Sequence, residues 1–78
     1  MNTRNDALSD YVTVDPETLG GEPVFKGTRV PIRSLFDHLK AGDDLDTFLD
    51  DFPGVTRDQA RAVIDLAEQG LLDSLQPA

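Results

Sequence analysis

A mainly α-helical chain, with short β-strands near its N-terminus and a three-helix unit carrying a helix-turn-helix, is the fold class that these 78 residues predict. Three observations predict it. Apolar residues recur at i, i+3, i+4 and i+7 in successive stretches from Ile32 onward, the spacing of helices with one buried face. Gly42 and the Pro53-Gly54 pair punctuate those stretches. Ahead of them, Tyr11–Val14 and Val24–Val30 are rich in β-branched and aromatic residues.

Residues 1–10 are polar and aperiodic, and read as a flexible N-terminal arm before a single domain over residues 11–76. Tyr11-Val12-Thr13-Val14 alternates as a short strand should. Asp15-Pro16-Glu17 joins a capping residue, a Pro suited to a first helical position and a first-turn acid. One helical turn is expected there, ended by Gly20-Gly21. Val24-Phe25 and Thr28-Arg29-Val30 flank Lys26-Gly27, which predicts a tight hairpin or bulged strand pair. Pro31 then suits the first position of a helix with the stripe Ile32, Leu35, Phe36 and Leu39, and Gly42 is its C-terminal cap. Asp43 or Asp44 can cap a second helix carrying Leu45, Phe48, Leu49 and Phe52. Thr56-Arg57-Asp58-Gln59 has the T-x-x-Q form of a capping box. Behind it, Ala60, Val63, Ile64, Ala67 and Leu71 form a third stripe. Gly70 weakens that helix near its end, leaving Leu71 to Leu75 as a short extension before Pro77. The short links favour steep helix crossings over a long bundle.

At this length a folded domain buries only about 60–65% of the surface its unfolded chain exposes. With no Cys, neither a disulfide nor a thiolate metal site can reinforce the core. Burial of further apolar area in a second copy is therefore expected. Tyr11, Val12, Val14, Val24, Phe25 and Val30, on exposed-edge strands, are the candidate dimer contacts. Charge is the unusual part of the composition. Fifteen acidic against seven basic residues give a formal net charge of −8. That argues against a uniformly basic nucleic-acid coat and suits a basic partner protein. The acid is uneven: residues 1–36 hold four cations and five acids, residues 37–78 three cations and ten acids. Pro23 to Ser34 contains three cations and no acid, so net charge leaves local contact with an anion open. No apolar run approaches the roughly 20 residues of a membrane span, and the N-terminus lacks the apolar core of a secretory signal. A cytoplasmic location is the default expectation.

Catalysis is not expected, nor is a cofactor or metal. The one His, His38, lies on the flank of the first helical stripe as a boundary imidazole, and no second His or Cys stands at ligand spacing. Asp43-Asp44-x-Asp46 lacks the Gly and the bidentate Glu in register that a calcium loop requires. Asp50 and Asp51 stand at the end of the second helix, where negative charge is unfavourable. Either the Pro53-Gly54 turn carries them towards the positive N-terminus of the third helix, or they belong to an acidic docking face. Leu71, Leu72 and Leu75 exceed the core stripes and are candidates for gripping a partner. On the third helix, Arg57 and Arg61 lie away from the apolar stripe. With Thr56 and Gln59 they suit base-edge and phosphate contact, and equally a solvated exterior. Lys26, Arg29 and Arg33 are the candidate phosphate contacts, although a salt bridge to Asp15 or Glu17 explains Arg29 as well.

The most specific string is Gly20-Gly21-Glu22-Pro23-Val24-Phe25-Lys26-Gly27-Thr28-Arg29-Val30-Pro31-Ile32. Together with Gly42, Phe52-Pro53 and Val55-Thr56, it resembles the bacterial and archaeal family known as domain of unknown function 433, over about residues 11 to 68. The resemblance implies a homeodomain-like trihelical fold preceded by short strands, usually dimeric. It also implies an antitoxin-like role in type II toxin-antitoxin systems: inhibition of a PIN-like ribonuclease toxin and repression of its own operon by binding operator DNA. Glu22 stands where the family often has Lys or Arg, and the chain is acidic. Both features shift the expectation from operator DNA towards the basic toxin. A homodimeric helix-turn-helix regulator without a toxin is the alternative.

Overall fold

The computed structural model describes residues 8–75; most of the expected N-terminal arm and the last three residues lie outside them. Residues 8–11 are helical, so Tyr11 closes a helical turn where a strand residue was expected. Strand β1 is Val12–Thr13 and β2 is Val24–Phe25. They pair antiparallel, Val12 opposite Phe25 and Thr13 opposite Val24. The link between them is not the helical turn expected after Asp15. The Asp15 carboxylate accepts the Glu17 N–H at 2.9 Å and its carbonyl accepts the Thr18 N–H at 2.9 Å. That side-chain turn outcompetes a helix start. A short 3-10 segment follows later, at Leu19–Gly21, across the glycine pair itself.

The expected tight hairpin forms in short form: the Phe25 N–H donates to the Val30 carbonyl at 3.0 Å and the Ile32 N–H to the Pro23 carbonyl at 2.9 Å, on either side of an antiparallel bridge between Val24 and Pro31. Its tip explains why it stays short. Gly27 takes φ +79, which lets the chain reverse within four residues. The Thr28 hydroxyl then donates to the Phe25 carbonyl at 2.8 Å and accepts the Val30 N–H at 3.0 Å. The donor that Val30 would have offered to a ladder is satisfied by a side chain, and the strand stops there.

Three α-helices follow. Helix α1 is Ile32–Lys40, with Pro31 as its N-cap and not, as expected, its first helical residue. Gly42, at φ +93, reverses the chain just past its C-cap Ala41. Helix α2 is Leu45–Asp51; Asp44 settles the cap, accepting the Thr47 N–H at 2.9 Å. Helix α3 is Arg57–Ser74, opened by the full capping box of Thr56 and Gln59. It runs without a break through Gly70, so Leu71 to Ser74 are its last turn and no separate extension exists. A helical Gly costs only about 1 kcal/mol against Ala, which a long helix absorbs.

The core is made by Phe25, Leu35, Phe48, Val55, Ala60 and Val63, all buried, with Val24 buried beside it. Phe48 is its hub. Its ring centroid lies 5.9 Å from Phe25, 5.1 Å from Phe52 and 5.4 Å edge-on from His38, within the range of favourable aromatic pairs. Val24 and Phe25 are thus core residues, not the dimer contacts expected of them. β1 covers one edge of their strand, both side chains are buried, and the Phe25 ring packs against Phe48 of α2. Among the described residues no helix is long and apolar enough to cross a membrane.

Candidate functional site

Of the residues expected to meet DNA, Thr56, Arg57, Gln59 and Arg61 stand at the start of α3 and Lys26 is tied to it, but most of the seven already have partners. The Thr56 hydroxyl accepts the Gln59 N–H at 3.1 Å, and the Gln59 side-chain oxygen accepts the Thr56 N–H at 3.0 Å. The Gln59 amide nitrogen donates to the Lys26 carbonyl at 2.9 Å. This last bond pins the Lys26-Gly27 turn to the first turn of α3, a tie across 33 residues that periodicity does not reveal. Arg57 pairs with Asp46 on α2, and Arg33 pairs with Glu22 at 3.1 Å. Lys26, Arg29 and Arg61 are exposed. Neither Asp15 nor Glu17 forms the salt bridge considered for Arg29. Three unpaired cations therefore remain of the seven residues expected to meet DNA.

At the opposite end of α2, Asp51 turns towards α1. Its carboxylate lies 3.1 Å from His38 Nε2, while His38 Nδ1 lies 2.9 Å from the Ser34 carbonyl. Both nitrogens can donate only when the ring is protonated. Asp51 first, and then the Ser34 carbonyl, hold the imidazole above its ordinary pKa of 6.5. The contact is therefore with α1, not with the N-terminus of α3. Asp50 is exposed. The Asp44 carboxylate is held below the usual range by the Thr47 N–H and hydroxyl. Among the described residues no three His, Asp or Glu side chains converge as metal ligands.

A groove of about 550 Å³ lies between the N-terminal segment, α1 and α3. Leu8, Val12 and Val14 form one wall, with Pro23 beside them. Ile32 and Phe36 reach it from α1. Val63, Leu66, Ala67 and Gly70 supply the α3 side. Beyond it α3 is uncovered: Leu71, Leu72 and Leu75 are 60%, 51% and 70% exposed. Of the residues expected to grip a partner, these three are free to do so. Of the expected dimer contacts, Val12 and Val14 line the groove, and Tyr11 and Val30 are half-buried against the core. The groove itself was missed. Its signal was the spacing of Val63, Leu66, Ala67 and Gly70, a second apolar face beside the stripe ending at Leu71. Leu8 gave none, because it stands alone among polar residues.

Residues 12–67 match the family described as "Protein of unknown function (DUF433)", and the chain belongs to that family. A protein of Sinorhizobium fredii called "Uncharacterized protein y4eO" is 34% identical over 62 residues; the match covers 80% of this chain and 28% of that one. The chain thus spans under a third of the length of this relative. A crystal structure of a DUF433 member protein from Anabaena variabilis superposes with a TM-score of 0.69 at 22% identity. That superposition covers 91% of this chain and 70% of the other, and the likeness is one of fold.

Proposed function

We propose that this protein is a non-catalytic binding protein: a type II antitoxin that captures and neutralises a PIN-like ribonuclease toxin. The nuclease class follows the family resemblance. What supports a protein partner, and a basic one, is the second half of α3. It presents Leu71, Leu72 and Leu75 to solvent on a chain of formal net charge −8. Exposed apolar side chains on an acidic surface suit a nuclease whose RNA-binding face is basic. Co-expression with the product of the neighbouring gene tests the reading. A stable complex and loss of ribonuclease activity are expected; separate elution and undiminished activity would remove the proposal.

One observation favours a second reading, a homodimeric, homeodomain-like helix-turn-helix regulator. The Gln59–Lys26 bond holds the Lys26–Arg29 turn against the start of α3, on the helix that also carries Arg61. Those three cations are available for phosphates. In a gel shift with the upstream promoter at low salt, Lys26→Ala, Arg29→Ala and Arg61→Ala together should abolish binding. Retained binding would refute this assignment. Autoregulating antitoxins do both, so the two readings are compatible.

A further inference from the structure

The groove beside α3 is more than leftover surface, because of what walls it. One wall comes from residues 8–23, a segment that carries Asp10, Asp15 and Glu17 and no cation, its Glu22 being already paired with Arg33. The opposite wall comes from residues 62–75, a segment that carries the exposed Asp65 and Glu68 and again no cation. An apolar floor between two acidic walls is complementary to one kind of object. That object has apolar side chains along a single stripe and basic ones flanking it.

We propose that the groove is the seat of a basic amphipathic helix of the partner protein. Its apolar residues at i, i+3 or i+4, and i+7 would fill the groove, and its Lys and Arg side chains would lie over the acidic walls. The proposal rests on the reading of the protein as a binder of a basic partner and names where that partner sits. Three observations carry it. The groove, about 550 Å³, is of the size that admits several side chains. Its α3 side is kept low by small residues: Ala67, and Gly70, where an added Cβ would meet nothing within 4 Å. Leu71, Leu72 and Leu75 extend the apolar surface along the same helix. A second copy of this chain fits less well. It would bring the same acidic walls and another −8 of formal charge to an interface already acidic.

Two labelled peptides test the proposal on the full chain. Both place Leu at i, i+3, i+4 and i+7 of a helix; one has Lys at the flanking positions, the other Glu. The Lys peptide is expected to bind at micromolar concentration, and the Glu peptide at least about tenfold more weakly. Ala67→Trp and, separately, Gly70→Met fill the groove, and either should weaken the Lys peptide by about tenfold or more at unchanged circular dichroism. Amide shifts on binding should centre on Val14, Phe36 and Ala67. Equal affinity for the two peptides, or no binding at about 100 μM, would overturn the proposal. So would affinity indifferent to both blocking variants, or a dimer in solution that either variant converts to monomer. The nuclease experiment separates this from the broader reading. Inhibition undiminished by Ala67→Trp sinks the groove alone. Peptide capture in the groove without inhibition of the nuclease sinks the toxin alone.

Discussion

Helix α1 and the second half of α3 both carry an apolar stripe at helical spacing, and the fold treats them oppositely. In α1, Leu35 is fully buried, and Ile32, Phe36 and Leu39 pack against the core. In α3 the same pattern is covered only at its start, at Ala60, Val63 and Ile64. From Ala67 onward every described residue is exposed. Periodicity states which face of a helix is apolar. Whether the chain itself covers that face depends on how many other elements reach it, and the described core packs against α3 only at Ala60, Val63 and Ile64.

The contrast can be broken first at its buried end. Phe48→Ala removes the side chain against which Phe25, Phe52 and His38 pack. It should cost about 3–5 kcal/mol, most of the stability of a domain this size. Urea titration followed by circular dichroism would show a largely unfolded chain or a midpoint near zero. Thr56→Ala unseats the capping box that starts the buried half of α3. A loss of about 1 kcal/mol is expected, seen as a fall in Tm of about 4–8 °C. Gly70→Ala acts at the other end. Since nothing stands where the new Cβ would go, it should stabilise α3 by about 0.5–1 kcal/mol. No change, or a loss, would mean that the exposed half is not helical in solution.

A smaller effect depends on pH. The His38–Asp51 link raises the folded pKa of His38, so its stabilisation is fully present below the unfolded value of about 6.5. It is lost as pH rises through the higher folded value. Tm should therefore decline slightly from pH 6 to 8 in the native chain, and this decline should flatten in Asp51→Asn. Smallest of all, Leu71→Ser with Leu75→Ser should change stability by no more than about 0.5 kcal/mol per site. The same pair should weaken the partner complex markedly. A large stability loss instead would place these leucines in the core.

Much of this was legible in the sequence, for physical reasons. A cap at Asp43 or Asp44, the Thr56–Gln59 box, Gly27 and Gly42 announce themselves because caps and positive-φ turns demand particular residues, and only the choice of Asp44 waited for the structure. The core residues on α1 and α2 follow from spacing. The hairpin forms but stays short, since the Thr28 hydroxyl takes the Val30 N–H that a longer ladder needs. At the start of α3 the sequence left nucleic-acid contact and a solvated exterior both open, and it did not show the contacts that Arg57 and Gln59 make. The Gln59–Lys26 and Arg57–Asp46 contacts join residues far apart in the chain, and no local pattern encodes them. Val24 and Phe25 looked like edge residues because their sequence cannot say that β1 lies beside them.

The central claim is that α3 has a packed half and a half reserved for a basic partner. Amide hydrogen exchange along α3, free and with the basic amphipathic peptide, tests it most directly. The claim predicts strong protection around Ala60 to Ile64 in the free protein and weak protection from Ala67 to Leu75, the latter rising on addition of the peptide. Uniform protection of the whole helix in the free monomer would contradict it. So would a second half left unchanged at saturating peptide.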